Sequence, residues 1–323
     1  MKHDDSQVRT VTRDIRVPSG LSDEARRSLA AAPPVAIGAV PLSTDDITGW
    51  KGRIDLVNAG IVAMYRGATD AFDGRVEAIS RDGVTIIDVQ PNSAEHDDVI
   101  VFDVHGGAFI YGGGVAARAM ACSRAVEVGR RVWCPDYRMP PMHPHPAALD
   151  DCLMAYRHLV GRHTTSKIVV SAGSAGASIA SAMLLQADAE GLPMPLGLML
   201  VKPLVDLTRS GDSYCTNLGV DHTLSGLIEP IQMYAGGVDL QDPLLSPLFA
   251  DIPHSWPPTV IVAGSRDVLL SDAIRMHRKL RTAGVDADLH VWDAMPHAGF
   301  GGAPEDHELS GELRKFVDAV VVR

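Results

Sequence analysis

From residue 74 onward the chain alternates short apolar runs with longer amphipathic ones. "RVEAISR" and "VTIIDVQ" flank Asp82-Gly83 with near-alternating apolar positions, a hairpin pattern. "VIVFDV" follows as an almost continuous apolar strand. Further strands are predicted at "RVWCPDY", "KIVVSA", "LGLMLV", "PTVIVAG" and "ADLHVWD". Between them, "ARAMACSRAVEVG", "ALDDCLMAYRHLV", "ASIASAMLLQADAE" and "SDAIRMHRKLRTAG" carry helical spacing. Strands buried on both faces and separated by helices imply an α/β fold. Its sheet is mostly parallel, covered by helices on both faces, with an antiparallel start.

Two regions break this rhythm. The segment before residue 74 reads as amphipathic helices, "SDEARRSLAAA" and "TDDITGWKGRIDLVNAGIVAMYRG", joined by the proline-containing "APPVAIGAVPLS". Between "VKPLVDL" and "PPTVIVAG" about fifty residues show helical stretches and no strand. An insertion of that length beside a strand's carboxyl end suits a lid or binding element.

The run from Ile168 to Ala187 has no charged residue and approaches the length of a bilayer span. Its serines, alanines and glycines contribute little transfer energy, so a strand, a sharp turn and a buried helix fit better. Composition is globular, with 46% apolar and 21% charged residues. A net charge of -11 disfavours nucleic acid and anionic membranes, which attract clustered Lys and Arg. The polar start "MKHDDSQVRTVTRD" lacks the apolar centre of a signal peptide, so the expected location is cytoplasmic. Cys122, Cys134, Cys152 and Cys215 show no metal or redox spacing and read as reduced thiols. His143 and His145, in the proline-rich "MHPHPAALDD", lack acidic or Cys partners and read as loop residues rather than metal ligands.

The turn after "KIVVSA" lies at the carboxyl end of a parallel strand, where open α/β sheets bind ligands. Ser174 occupies that turn, between Ala172-Gly173 and Ala175-Gly176, and small neighbours let the two arms of a strand-to-helix turn come together. "AGSAG" alone also suits an ordinary tight junction. His105, Gly106 and Gly107 follow another buried strand, so their backbone N–H groups can face a developing oxyanion, as can that of Ala175. A phosphate loop would be expected to bring a Lys or a GK[ST] helix start, which this segment lacks.

"HGGAF", "CPDYRMPPMHPHPAALDD", "SAGSAGAS", "SRDVLLSD" and "MPHAGF", in that order, resemble the hormone-sensitive-lipase-like branch of the α/β-hydrolases, which includes many bacterial family IV esterases. The likeness covers most of the chain from about residue 74. It departs from the family's GDSAGG at Ala172, Gly173 and Ala177, and from YRLAPEHPFPAA at positions including Pro140, Met142 and His145. The Ala172 methyl is a mild steric change, and Gly173 is expected to supply compensating freedom. The resemblance implies an α/β-hydrolase fold with residues 74–204 and 245–323 as its core. Residues 1–73 and the insertion 205–244 would form a helical cap.

A serine hydroxyl needs a base, and the base needs an acid to fix its tautomer. His297 follows the last strand, as the family's histidine does, while His290 and His307 read as surface or packing residues. Asp267 matches the family acid. Its rival Asp272 reads as a cap or first-turn residue of the next helix. Trp50, Tyr65, Tyr111, Met233 and Tyr234 could line an acyl or alcohol pocket, but residues of this kind in such segments more often serve simple packing, and they are not taken as site residues.

The expected activity is hydrolysis of small to medium carboxylic esters, with catalytic Ser174, Asp267 and His297, an oxyanion hole of Gly106, Gly107 and Ala175, and neither cofactor nor metal. A lactonase or amidase would use the same groups. A binding protein on this fold, like the plant hormone receptors that resemble these esterases, would have lost a triad member. Family members often pair through a sheet edge or cap helices, which makes a homodimer one expected assembly.

Overall fold

The computed structural model describes residues 11–31, 41–94, 98–162 and 168–322. Most of the proline-containing 32–43 linker and the first ten residues of the polar start lie outside them. Asp82 and Gly83 both adopt positive φ, 48° and 86°, the primed-turn geometry that matches strand twist. They join β1 (Gly74–Arg81) to β2 (Val84–Pro91) as an antiparallel pair. β2 then pairs antiparallel with β4 (Arg131–Asp136). From there the sheet is parallel through β3 (Ile100–Val104), β5 (Ile168–Gly173), β6 (Gly197–Val201), β7 (Thr259–Gly264) and β8 (Ala287–Trp292). The spatial order is β1-β2-β4-β3-β5-β6-β7-β8. All eight strands lie where the apolar runs predict them.

Alternation of side chains builds two cores. On one face Phe102, Val104, Val170, Leu198 and Ile261 pack against α5 (Ala147–Val160), α6 (Gly176–Ala189) and α9 (Leu270–Thr282). On the other, Val101, Val169, Met199 and Val262 meet α4 (Val115–Val128) and α10 (Pro304–Val321). The predicted strands and helices end at β8 and omit α10. Leu309, Leu313, Val317 and Val320 nevertheless recur at helical spacing and are buried. The uncharged run after Ile168 divides into β5 and the largely buried α6. Among the described residues no helix is long and apolar enough to cross a membrane.

Before the hairpin lie α1 (Asp23–Ala31), α2 (Ile47–Met64) and α3 (Arg66–Asp70). Asp46 caps α2 by accepting from the Gly49 N–H at 2.9 Å. The single helix expected over 44–67 is thus two, broken at Tyr65, which leaves helical geometry at φ -93°, ψ 6°. α2 and α3 pack on α4, and Ser22 is tied to Glu305 by two 2.7 Å hydrogen bonds. In the insertion, α7 (Ser213–Thr216) and α8 (Ile228–Ala235) are helical, with an irregular stretch between them.

Candidate active site

Ser174 stands between β5 and α6 with φ at 51°, a left-handed conformation that costs a non-glycine residue energy. Surrounding backbone holds it there: its N–H donates to the Val201 carbonyl at 2.9 Å, and its own carbonyl accepts from the Leu204 N–H at 3.0 Å. At Gly176 any Cβ would run into the carbonyl oxygens of Val104 and His105, so glycine lets α6 start against the end of β3. Gly173 differs from expectation. It lies outside the positive-φ region, and a Cβ there would meet nothing closer than 4.0 Å. The departure from the family's Asp therefore relieves no strain; the strained residue is the serine.

The glycine loop abuts this turn. A Cβ on Gly106 would lie 3.1 Å from the Ser174 Cβ, and Gly107 turns at φ 127° where a side chain would strike the Tyr111 carbonyl. The N–H groups of Gly106, Gly107 and Ala175 donate to no backbone carbonyl among the described residues. His105 is buried and stacks on Tyr137 with ring centroids 4.2 Å apart. Its Nδ1 lies 2.7 Å from the Gly106 carbonyl, so this nitrogen carries the proton. Burial holds the ring's pKa below its usual value, which keeps it neutral and a fixed support for the loop.

Asp267 follows β7 and His297 follows β8. His297 Nδ1 lies 3.1 Å from both Asp267 carboxylate oxygens, and its Nε2 lies 3.0 Å from Ser174 Oγ. Asp267 is fully buried, whereas the imidazole keeps 15% of its side-chain surface exposed. Such an array can move a proton from the serine hydroxyl onto an imidazole whose tautomer a carboxylate fixes. Lys202, buried at the end of β6, adds positive potential. Burial pulls its ammonium below the ordinary lysine value, against the opposing pull of Asp267, Asp306 and Asp221.

Asp272 lies in the first turn of α9 but does not cap that helix. Its Oδ2 accepts from the N–H groups of Val205 and Asp206 at 2.8 and 3.0 Å and from the Tyr214 hydroxyl at 3.2 Å. It braces the insertion against α9 instead. His307 is exposed and His290 half-buried. Cys122, Cys134 and Cys152 are buried, and burial raises their pKa values, while Cys215 is exposed. His145 packs edge-on to Tyr234.

Three contributions escaped the sequence reading. Asn58 on α2 accepts from the Gly112 N–H at 2.8 Å, tying an N-terminal helix to the glycine loop. Phe109, in that loop at φ 67°, stacks on Tyr234 of α8 with centroids 4.1 Å apart. Asn217 and Asp221, from the irregular stretch between α7 and α8, bond the loops that carry Asp267 and His297. All depend on long-range pairing, and only the Asp-x-Thr spacing at Asp221 carries a local signal, that of an Asx turn.

A protein family described as having the alpha/beta hydrolase fold matches residues 101–300, which span the glycine loop, Ser174, Asp267 and His297. The chain belongs to this family. Among solved structures, esterase E25 is 34% identical with a TM-score of 0.89, over 97% of this chain and 98% of that one. An esterase from the bacterial hormone-sensitive lipase family is 29% identical with a TM-score of 0.78, over 93% and 99%. An esterase of Acinetobacter venetianus is 34% identical over 61% of this chain, and the aligned stretch spans 66% of that esterase. These likenesses place the chain in the hormone-sensitive-lipase-like branch of the α/β-hydrolases.

Proposed function

We propose that this chain is a serine carboxylesterase acting on small to medium acyl esters through an acyl-enzyme intermediate. The observation that carries the reading is the 3.0 Å contact from Ser174 Oγ to His297 Nε2, continued at 3.1 Å from Nδ1 to Asp267, beside a glycine loop. Ser174 attacks the ester carbonyl as His297 takes its proton. The imidazolium then protonates the leaving alcohol, with Asp267 holding the ring. Gly106, Gly107 and Ala175 offer N–H groups to the tetrahedral oxyanion. Water activated by the same histidine releases the acid, so the cycle needs no cofactor or metal.

In this reading the described parts of residues 1–73, together with residues 205–244, cap the site. Asn58 reaching Gly112 and Tyr234 stacking on Phe109 support it, because both contacts fall on the glycine loop. Cytoplasmic residence and a homodimer belong to the same reading; light scattering tests the dimer.

A cap seated on the glycine loop confines the acyl chain. p-Nitrophenyl acetate and butyrate are therefore expected to give kcat/KM values about tenfold or more above those of laurate and palmitate. Measuring that series beside several lactones separates ester from lactone preference. Faster cleavage of emulsified long-chain triglyceride than of soluble short esters would overturn the size assignment.

A further inference from the structure

Among the described residues, apart from the contact between the Asp267 and His297 side chains, the hydrogen bonds that join their two loops directly fall before those residues. Ala294 N–H donates to Ser265 Oγ at 2.7 Å, and Arg266 N–H donates to the Met295 carbonyl at 3.2 Å. At the two key residues themselves a third segment takes over. Asn217 Nδ2 donates to the carbonyls of Ser265 and Asp267, at 3.1 and 2.8 Å. Asp221 Oδ2 accepts from the N–H groups of both Val268 and His297, at 3.2 and 3.3 Å. Its Oδ1 accepts from the N–H and hydroxyl of Thr223, at 2.9 and 2.7 Å. Thr223 Oγ1 in turn accepts from the Ala298 N–H at 3.0 Å.

We propose that Asn217–Thr223 is a positioning clamp that holds the Asp267 and His297 loops in register, with Asp221 as its central positioning residue. The inference rests on the reading of Ser174, His297 and Asp267 as the catalytic array. Asp221 touches none of the reacting atoms and acts through the backbone of His297 and of the residue after Asp267. It is fully buried and faces four donors, which an acceptor-only carboxylate satisfies. An asparagine has one acceptor oxygen. Whichever way its amide turned, its NH2 would face either the Val268 and His297 N–H pair or the Thr223 N–H, so at least one backbone donor of the clamp would lose its acceptor. Lys202, buried in the same neighbourhood, is attracted electrostatically by both Asp267 and Asp221. The clamp also gives the insertion a part in turnover, because the segment that fixes the imidazole leads into α8, whose Tyr234 stacks on the glycine loop.

The test compares Asp221→Asn, Thr223→Val, Thr223→Ser and Ser174→Ala on p-nitrophenyl butyrate. For the Asp221 and Thr223 variants each rate is divided by the number of sites titrated with a p-nitrophenyl phosphonate, for Ser174→Ala by the moles of protein, and thermal midpoints are recorded. Asp221→Asn should lower kcat per titrated site about a hundredfold with KM nearly unchanged, the expected cost of a displacement of about 1 Å in a reacting group. Thr223→Val should lower kcat up to about tenfold, the worth of one hydrogen bond, and Thr223→Ser should restore it. A role confined to folding would lower the midpoint and the number of titratable sites while leaving kcat per site at the wild-type value. That outcome in both Asp221→Asn and Thr223→Val overturns the clamp, as does a change in KM alone. Where Asp221→Asn fails to fold, the Thr223 pair decides, since that side chain is exposed and its loss is mild. Activity surviving in Ser174→Ala would instead overturn the catalytic reading on which the clamp rests.

Discussion

Ser174→Ala should lose esterase turnover by on the order of 10⁴- to 10⁶-fold while unfolding as cooperatively as the parent chain. The loss is large because the hydroxyl is the attacking group, and residual rate would come only from binding and the N–H groups. The fold should tolerate the change. Ser and Ala share the strain of φ 51°, and the contacts that fix the turn are made by the Ser174 backbone. Other serines nearby offer no substitute. Ser171 is fully buried within β5, and Ser178 Oγ donates to the Leu204 carbonyl at 2.7 Å inside the core. The parent chain should be labelled stoichiometrically by an organophosphonate and Ser174→Ala should not. Near-normal hydrolysis by Ser174→Ala would remove the nucleophile assignment. A parent chain that bound esters without reacting would favour a receptor instead.

How much of this arrangement could be read from the chain depended on the range of the interactions. The inner strands β3, β5, β6 and β7 announced themselves because they are buried on both faces, which leaves a run of Val, Ile and Leu that local reading detects, whereas the largely exposed β1 was legible from the alternation flanking Asp82-Gly83. Ser174, His105, Gly106 and Gly107 were legible for a related reason. A turn that must bring β5 against α6, or a loop that must lie against Ser174, restricts side-chain size, and that restriction is written in adjacent residues. Asp267 and His297 were legible as residues following strands of a parallel sheet, whose carboxyl ends face one side. Asn58, Asp221 and Asn217 left no comparable mark. Their partners lie 54, 76 and 50 residues away, at Gly112, His297 and Asp267, and an Asp or Asn that bonds a distant loop looks in sequence like any other polar residue. The same limit explains the misplaced freedom at Gly173. A local reading sees that a glycine is present but not which residue of the turn adopts positive φ.

The second large effect separates the two aspartates after β7. Asp267→Asn should lower kcat about a thousandfold or more with the fold intact, because an amide facing His297 Nδ1 can present the wrong partner and stabilise the wrong tautomer. Asp272→Asn should leave kcat near that of the parent and act on stability instead. Asp272 is fully buried, and its pKa is pushed up to about 7, chiefly by loss of solvation and further by Asp206. Between the unfolded carboxyl value of about 3.9 and that raised value, the folded chain binds more protons than the unfolded one. Stability contributed by this group is therefore greatest below about pH 4 and declines as pH rises through about 7. Asparagine keeps an oxygen for the Val205, Asp206 and Tyr214 donors. Its NH2 would replace Oδ1, which has no hydrogen-bond partner among the described residues. The variant should lose that part of the pH slope and melt no lower than the parent at pH 8, where the parent carries a buried charge. Thermal midpoints at pH 5, 6.5 and 8, with kcat on a short ester, check both halves. An inactive Asp272→Asn beside a nearly normal Asp267→Asn would exchange the two roles. A parent whose midpoint rose through this pH range, with Asp272→Asn following the same slope, would show that Asp272 is already ionised in the folded chain well below pH 7.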